Sequence, residues 1–143
     1  MNNDPIQNQS IVDGLVQLSF LVQEILGRVG TEHGLSIIQL RLLGILRDRE
    51  PSMRQLAKHL NLDKSSITGL VDRAERRGLV ERKVSPNDRR GFNVCITPAG
   101  RELTQAGNEE IVRHVKAAVE GLTERERAQL VMLVRKILGN TVK

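Results

Sequence analysis

The chain contains no Trp and no Tyr, two Phe and a single Cys in 143 residues. One thiol excludes an internal disulfide and any Cys-rich zinc site. Long apolar runs are also missing. The longest uninterrupted one, Leu130 to Val134, is five residues, against the roughly 20 that span a bilayer. The amino terminus, MNNDPIQNQS, has neither a basic start nor an apolar h-region, so no secretory signal is expected. These absences point to the cytoplasm and to no membrane partner. What remains is ordinary for a folded chain, with 39% hydrophobic and 27% charged residues, and the length suits one domain with a real interior.

Charge placement says more than the total of +5. Residues 1–50 carry four Lys/Arg and six Asp/Glu, residues 51–101 carry eleven and five, and residues 102–143 carry seven and six. The positive excess therefore lies in the middle third. A basic segment between near-neutral ones is the electrostatic footprint of nucleic-acid binding, although basic patches also meet acidic proteins and membrane surfaces.

The apolar spacing predicts a first helix from Ser10 to about Val29. Ile11, Leu15, Leu18, Val22, Ile25 and Val29 alternate steps of four and three, a heptad-like seam that Leu21 and Leu26 widen. Gly30 and Gly34 are expected to break it. Ser36 with Gln39 opens a second helix through a capping box, reaching about Arg47 and apolar on nearly every side. The signal returns at Ser52 with Gln55, ahead of the short helix MRQLAKHL. Asp63 then caps a helix from Lys64 to Arg77 that stops at Gly78. Its inward residues are Ile67, Leu70, Val71 and Ala74, and its outer face shows Ser65, Thr68, Gly69, Asp72, Arg73 and Arg76. Two short helices on a three-residue turn, the second basic and small on its outer face, make a helix-turn-helix.

Two extended segments follow, Leu79–Val84 and Phe92–Thr97. In the second, Phe92, Val94 and Ile96 are expected on one face, with Asn93, Cys95 and Thr97 on the other. The connection SPNDRRG, residues 85–91, is long for a hairpin and carries Asp88, Arg89 and Arg90. A helix-turn-helix followed by such a hairpin is a winged helix. Thr97 caps a long helix with Pro98 at its first position, running to about residues 120–122, where Gly121 breaks it. A third capping box, Thr123 with Glu126, opens a last helix bearing Leu130, Val131, Leu133, Val134, Ile137 and Leu138, a stripe too wide for one neighbour. The fold class is thus mainly α with a small β-hairpin wing. N-terminal helices occupy 1–50, the winged helix-turn-helix 51–97 and C-terminal helices 98–143.

The stretch ITGLVDRAERRGLVERKVSPNDRRGFNVCITPAG, residues 67–100, closely resembles the central motif of the MarR family of bacterial transcription regulators. The wing pattern is carried by Asp88, Arg90, Val94, Ile96, Thr97 and Gly100. The end of the recognition helix is carried by Val71, Asp72, Arg73, Glu75, Gly78, Leu79, Val80 and Arg82. Ala74 departs from the usual Leu, which is expected to loosen packing under that helix without changing its role. The resemblance implies a homodimer in which first and last helices of two chains interlock into a single intertwined domain, each winged helix facing DNA. The seam of the first helix and the broad stripe of the last ask for a partner independently of it; an intramolecular terminal bundle is the other reading.

On this basis Lys64, Ser65, Ser66, Thr68 and Arg73 are expected to meet double-stranded DNA through the helix. Asp88, Arg89 and Arg90 would meet it through the wing, Asp88 bracing Arg90 near a minor groove. A solvated helix face and a surface ion pair are the plainer readings of the same residues. Relatives commonly bind a small anionic or phenolic effector between the dimer helices and the winged helix. Phe20, His33 and Arg41 are the candidates for it, Phe20 otherwise being core and Arg41 solvated. Cys95 reads as a buried strand thiol rather than a sensor. His33, His59 and His114 have no metal-ligand spacing, Glu110 and His114 forming only an i, i+4 pair. No phosphate loop, nucleophile elbow or paired-carboxylate site is present, so no enzyme activity, cofactor or metal is expected. The function expected is a ligand-responsive repressor acting as a homodimer on a pseudo-palindromic operator. A winged-helix interaction module and a metal or redox sensor on the same scaffold are the alternatives.

Overall fold

The computed structural model describes residues 4–86 and 91–141. The chain divides into two compact units, Met1–Ile111 and Val112–Lys143.

In the first unit, α1 spans Pro5–Glu32 and starts earlier than the apolar spacing suggests. Asp4 caps it, accepting from the Ile6 N–H at 3.0 Å, and Pro5 stands in the first turn. That pair fixes a helix start more strongly than Ser10 does. Gly30 does not break α1. It is buried inside it because the Leu35 carbonyl lies where a Cβ would be, and the reversal falls to Gly34 at φ +68°. α1 is also long and apolar enough, by length and composition, to cross a membrane. Counting uninterrupted runs misses this because its polar residues are interleaved with the apolar ones.

Helix α2, Ile37–Ile45, ends two residues before the expected Arg47. Helices α3, Met53–Leu60, and α4, Lys64–Arg76, match their expected positions to within a residue. Both capping boxes form, Ser36 with Gln39 and Ser52 with Gln55, and Gly78 at φ +73° closes α4. Leu42, Leu43, Leu46, Leu56, Leu70 and Val71 are almost wholly buried and form the core with Ile67, Ala74, Val80 and Val94. Burial of each large aliphatic side chain contributes about 1.5–3 kcal/mol, so this cluster is what holds the helix-turn-helix together.

Strands β1, Val80–Val84, and β2, Phe92–Ile96, pair antiparallel from Val80 opposite Ile96 to Val84 opposite Phe92. Phe92 does not share the burial of Val94 and Ile96 but is 45% exposed, because its register partner Val84 lies on the part of the hairpin that projects from the core. Cys95, on the strand face opposite Val94, is the buried thiol that the sequence leads one to expect, and it lies beside Glu81. Helix α5, Pro98–Ala118, begins at Thr97, whose hydroxyl donates to the Gly78 carbonyl at 2.6 Å and accepts from the Gly100 N–H at 3.0 Å. One side chain thus joins the ends of α4, β2 and α5. Helix α5 ends before the expected residues 120–122.

The second unit holds the rest of α5 and α6, Glu124–Thr141. Thr123 and Glu126 complete the third capping box. Every apolar residue from Leu130 to Leu138 is exposed. In α1 the same is true of Ile11, Leu15, Leu18, Phe20 and Val22.

Candidate nucleic-acid interface

The start of α4 is built by Asp63. Its carboxylate accepts from the Ser66 N–H at 2.7 Å and from the Ser65 hydroxyl at 3.0 Å. The Ser66 N–H, then the Ser66 and Ser65 hydroxyls, hold that carboxyl below its usual 3.8. Thr68 donates its hydroxyl to the Lys64 carbonyl at 2.8 Å. The Ser65 and Thr68 hydroxyl protons are therefore engaged within the helix. What these side chains present outward is acceptor oxygen and, at Thr68, a methyl group. These are partners for the amino groups of adenine or cytosine and for the thymine methyl.

The candidates divide between two surfaces. Lys64 and Thr68 open on a groove of about 820 Å³ between α3, α4 and the hairpin, with Ser52, Arg54, Arg82 and Ser85 along it. Ser65, Ser66 and Arg73 line a shallower surface with Ile38, Leu62 and Gly69, where the Arg73 guanidinium lies back over Gly69. Asp88, Arg89 and Arg90 lie outside the described residues. Arg54, exposed on α3, carries no signal in the sequence, since a lone Arg on a short amphipathic helix reads as solvated face. Its signal is the groove, which Arg54 lines together with Lys64, Ser52 and Ser85.

The three effector candidates do not converge. A cavity of about 220 Å³ is lined by Leu26, Leu40, Leu43, Thr104, Asn108 and Ile111, with Arg41 and Arg47 as its cations. Arg41 borders this cavity; Phe20 and His33 do not. Phe20 is 64% exposed on α1 rather than core. His33 instead meets Glu110, with Nε2 3.1 Å from Oε1, and Glu32 completes a group whose ligand atoms lie within 4.8 Å of one another. Spacing rules miss this group because His33 and Glu110 are 77 residues apart. One imidazole and two carboxylates can hold a divalent cation, and the hydrogen bond also satisfies His33 without one.

The Cys95 thiol is pushed above its ordinary 9.0, chiefly by burial and against the opposing charge of Lys83. A thiol so placed is a poor nucleophile at neutral pH.

Comparison with known proteins agrees with this architecture. A family model described as MarR family matches residues 33–91. The HTH-type transcriptional repressor NicR of Pseudomonas putida is 32% identical over 107 residues, covering 74% of this chain and 68% of that protein. The HTH-type transcriptional regulator PecS of Dickeya dadantii is 27% identical over 142 residues, covering 96% and 83%. Among solved structures, the transcriptional regulator BldR of Sulfolobus solfataricus superimposes with a TM-score of 0.75 at 28% identity, covering 98% of this chain and 99% of that one.

Proposed function

The chain belongs to the MarR family of DNA-binding transcription regulators, which are not enzymes, and from that premise we propose that it is a ligand-responsive repressor acting as a homodimer on a pseudo-palindromic operator. The observation that carries the dimer is the exposed seam of α1. Ile11, Leu15, Leu18 and Val22 are 43–54% exposed although their spacing is that of a helix packed on a partner. A second copy covers it, and the exposed stripe of α6 is covered likewise. Residues 1–50 and 98–143 then serve dimerisation and scaffolding, residues 51–97 serve DNA binding, and the protein works in the cytoplasm.

In this reading Lys64, Ser65, Ser66, Thr68 and Arg73 meet the major groove. Arg54 meets a phosphate at the groove's edge, and Asp88, Arg89 and Arg90 reach the flanking minor groove. The effector is a small anion held where Arg41 and Arg47 border an apolar cavity, an arrangement that suits a carboxylate on a hydrophobic body. Phe20 and His33 have no part in that cavity. The burial of Cys95 speaks against the redox alternative, and the basic outer face of α4 speaks against a pure protein-interaction module.

The test is selection of bound sequences from a random duplex pool, followed by footprinting. Two inverted half-sites centred roughly one helical turn, about 10 bp, apart are expected. A single asymmetric half-site would sink the dimeric operator.

A further inference from the structure

Arg82 is the last half-buried residue of β1. Val80 before it is buried, and Lys83 and Val84 after it are exposed. Its guanidinium donates through Nη2 to Asp72 Oδ1 at 2.5 Å and through Nη1 to Glu75 Oε1 at 2.8 Å. Asp72 and Glu75 stand one turn apart on α4, so a single planar fork grips the recognition helix at two points. The Arg82 side chain is 20% exposed, against 43% and 41% for its partners, which sets it apart from the solvent-exposed ion pairs of the surface.

The other strand is fastened at the same level by a different means. Val94, the register partner of Arg82, donates its N–H to the Pro51 carbonyl at 2.8 Å, and the preceding residue, Asn93, bridges to Ser52. The backbone ties β2 to the segment before α3, while the side chain of Arg82 ties β1 to α4. Past these two ties Lys83, Val84 and Phe92 are all exposed, and Lys83 reaches Glu50 only through a solvent-exposed ion pair at 3.5 Å, the weak kind.

We propose that Arg82 is a positioning residue for DNA recognition, fixing the angle of the hairpin against the recognition helix so that the two read their grooves in one register. This rests on the DNA-reading function proposed above. The fork geometry is essential, because one ammonium cannot serve two carboxylates a helical turn apart in the same way. Charge alone makes a different prediction. Removing the two carboxylates adds positive charge near the phosphates, so a purely electrostatic role would have it tighten binding to every duplex.

The test uses the full chain carrying Arg82→Ala, Arg82→Lys, or Asp72→Asn together with Glu75→Gln. The last set keeps the protein testable should Arg82→Ala fail to fold. Amide exchange in the free protein reads the brace, and titration against selected and flank-swapped duplexes reads its consequence. Exchange over 80–84 and 92–96 should quicken about tenfold while the interior of α4 is unchanged. Discrimination between flanks should fall about fivefold in both Arg82→Ala and the carboxylate pair, with partial recovery in Arg82→Lys. Unchanged hairpin exchange would overturn the proposal. So would a carboxylate-pair variant that binds every duplex more tightly with its flank discrimination intact. A parent protein that binds no duplex would refute the DNA-reading function itself, and the exchange data would still decide the brace.

Discussion

The guanidinium of Arg77 donates to the backbone carbonyl of Gly34 at 2.7 Å, and its second amino group to that of His33 at 3.1 Å. Arg77 caps the C-terminus of α4, and Gly34 makes the turn between α1 and α2. The recognition helix is therefore held at its far end by the turn that also carries the His33–Glu110 contact to α5. Replacing Arg77 with Met keeps its apolar stem and removes both bonds. The unfolding free energy should fall by about 1 kcal/mol, read from the urea midpoint at constant slope. An unchanged midpoint would show that water replaces the Arg77 donors without loss.

The dimer predicts that a single charge in the α1 seam separates the copies. Leu18 is 52% exposed in one chain and would face the partner in the dimer. Leu18→Glu should shift sedimentation from dimer to monomer at micromolar concentration and abolish binding to a full operator. Its helix content should hold, since Leu18 contributes nothing to the intrachain core. A variant that stays dimeric would place the interface elsewhere.

Asp63 links helix α4 to pH. Its folded carboxyl is held below the usual 3.8 by the Ser66 N–H and by the Ser66 and Ser65 hydroxyls. A depressed folded value means that the cap stabilises the fold fully above pH 3.8, and that this stabilisation is lost as pH falls through the lower folded value. Acid should accordingly loosen the first turn of α4 before the core, seen as faster exchange at Ser66. In Asp63→Asn, which caps without titrating, that acid limb should flatten.

The two grooves predict two kinds of variant. Arg90→Ala should weaken binding to all duplexes, lower the salt slope by roughly one phosphate and flatten the dependence on flanking sequence. Thr68→Ala should instead relax discrimination at a position inside the half-site with little change in salt slope. Titration of each variant at several salt concentrations separates them. Equal effects on slope and discrimination would show that helix and wing do not divide the work.

Cys95 should react with a thiol reagent at least about tenfold more slowly in the native protein than in denaturant, because burial both blocks it and raises its pKa. Operator binding should survive mild peroxide. Rapid native labelling with loss of binding would revive the redox alternative.

The amino-acid sequence by itself determined the features that close within one turn of chain. Ser36 with Gln39, Ser52 with Gln55 and Thr123 with Glu126 are each three residues apart, and all three capping boxes form as their spacing dictates. The buried stripe of α4 and the Gly78 stop are legible for the same reason. Local signals also compete: Asp4 and Pro5 open α1 rather than Ser10, and Gly30 marks a close approach rather than a break. Tertiary structure alone decided contacts between residues distant in the chain. These are the grip of Arg77 on the α1–α2 turn, the meeting of His33 with Glu110, the reach of Arg82 to Asp72 and Glu75, and the bringing of Arg54 and Lys64 to one groove. No periodicity encodes these pairs. Each is fixed only once the apolar core has closed the loops between its members and set the helices at their angles.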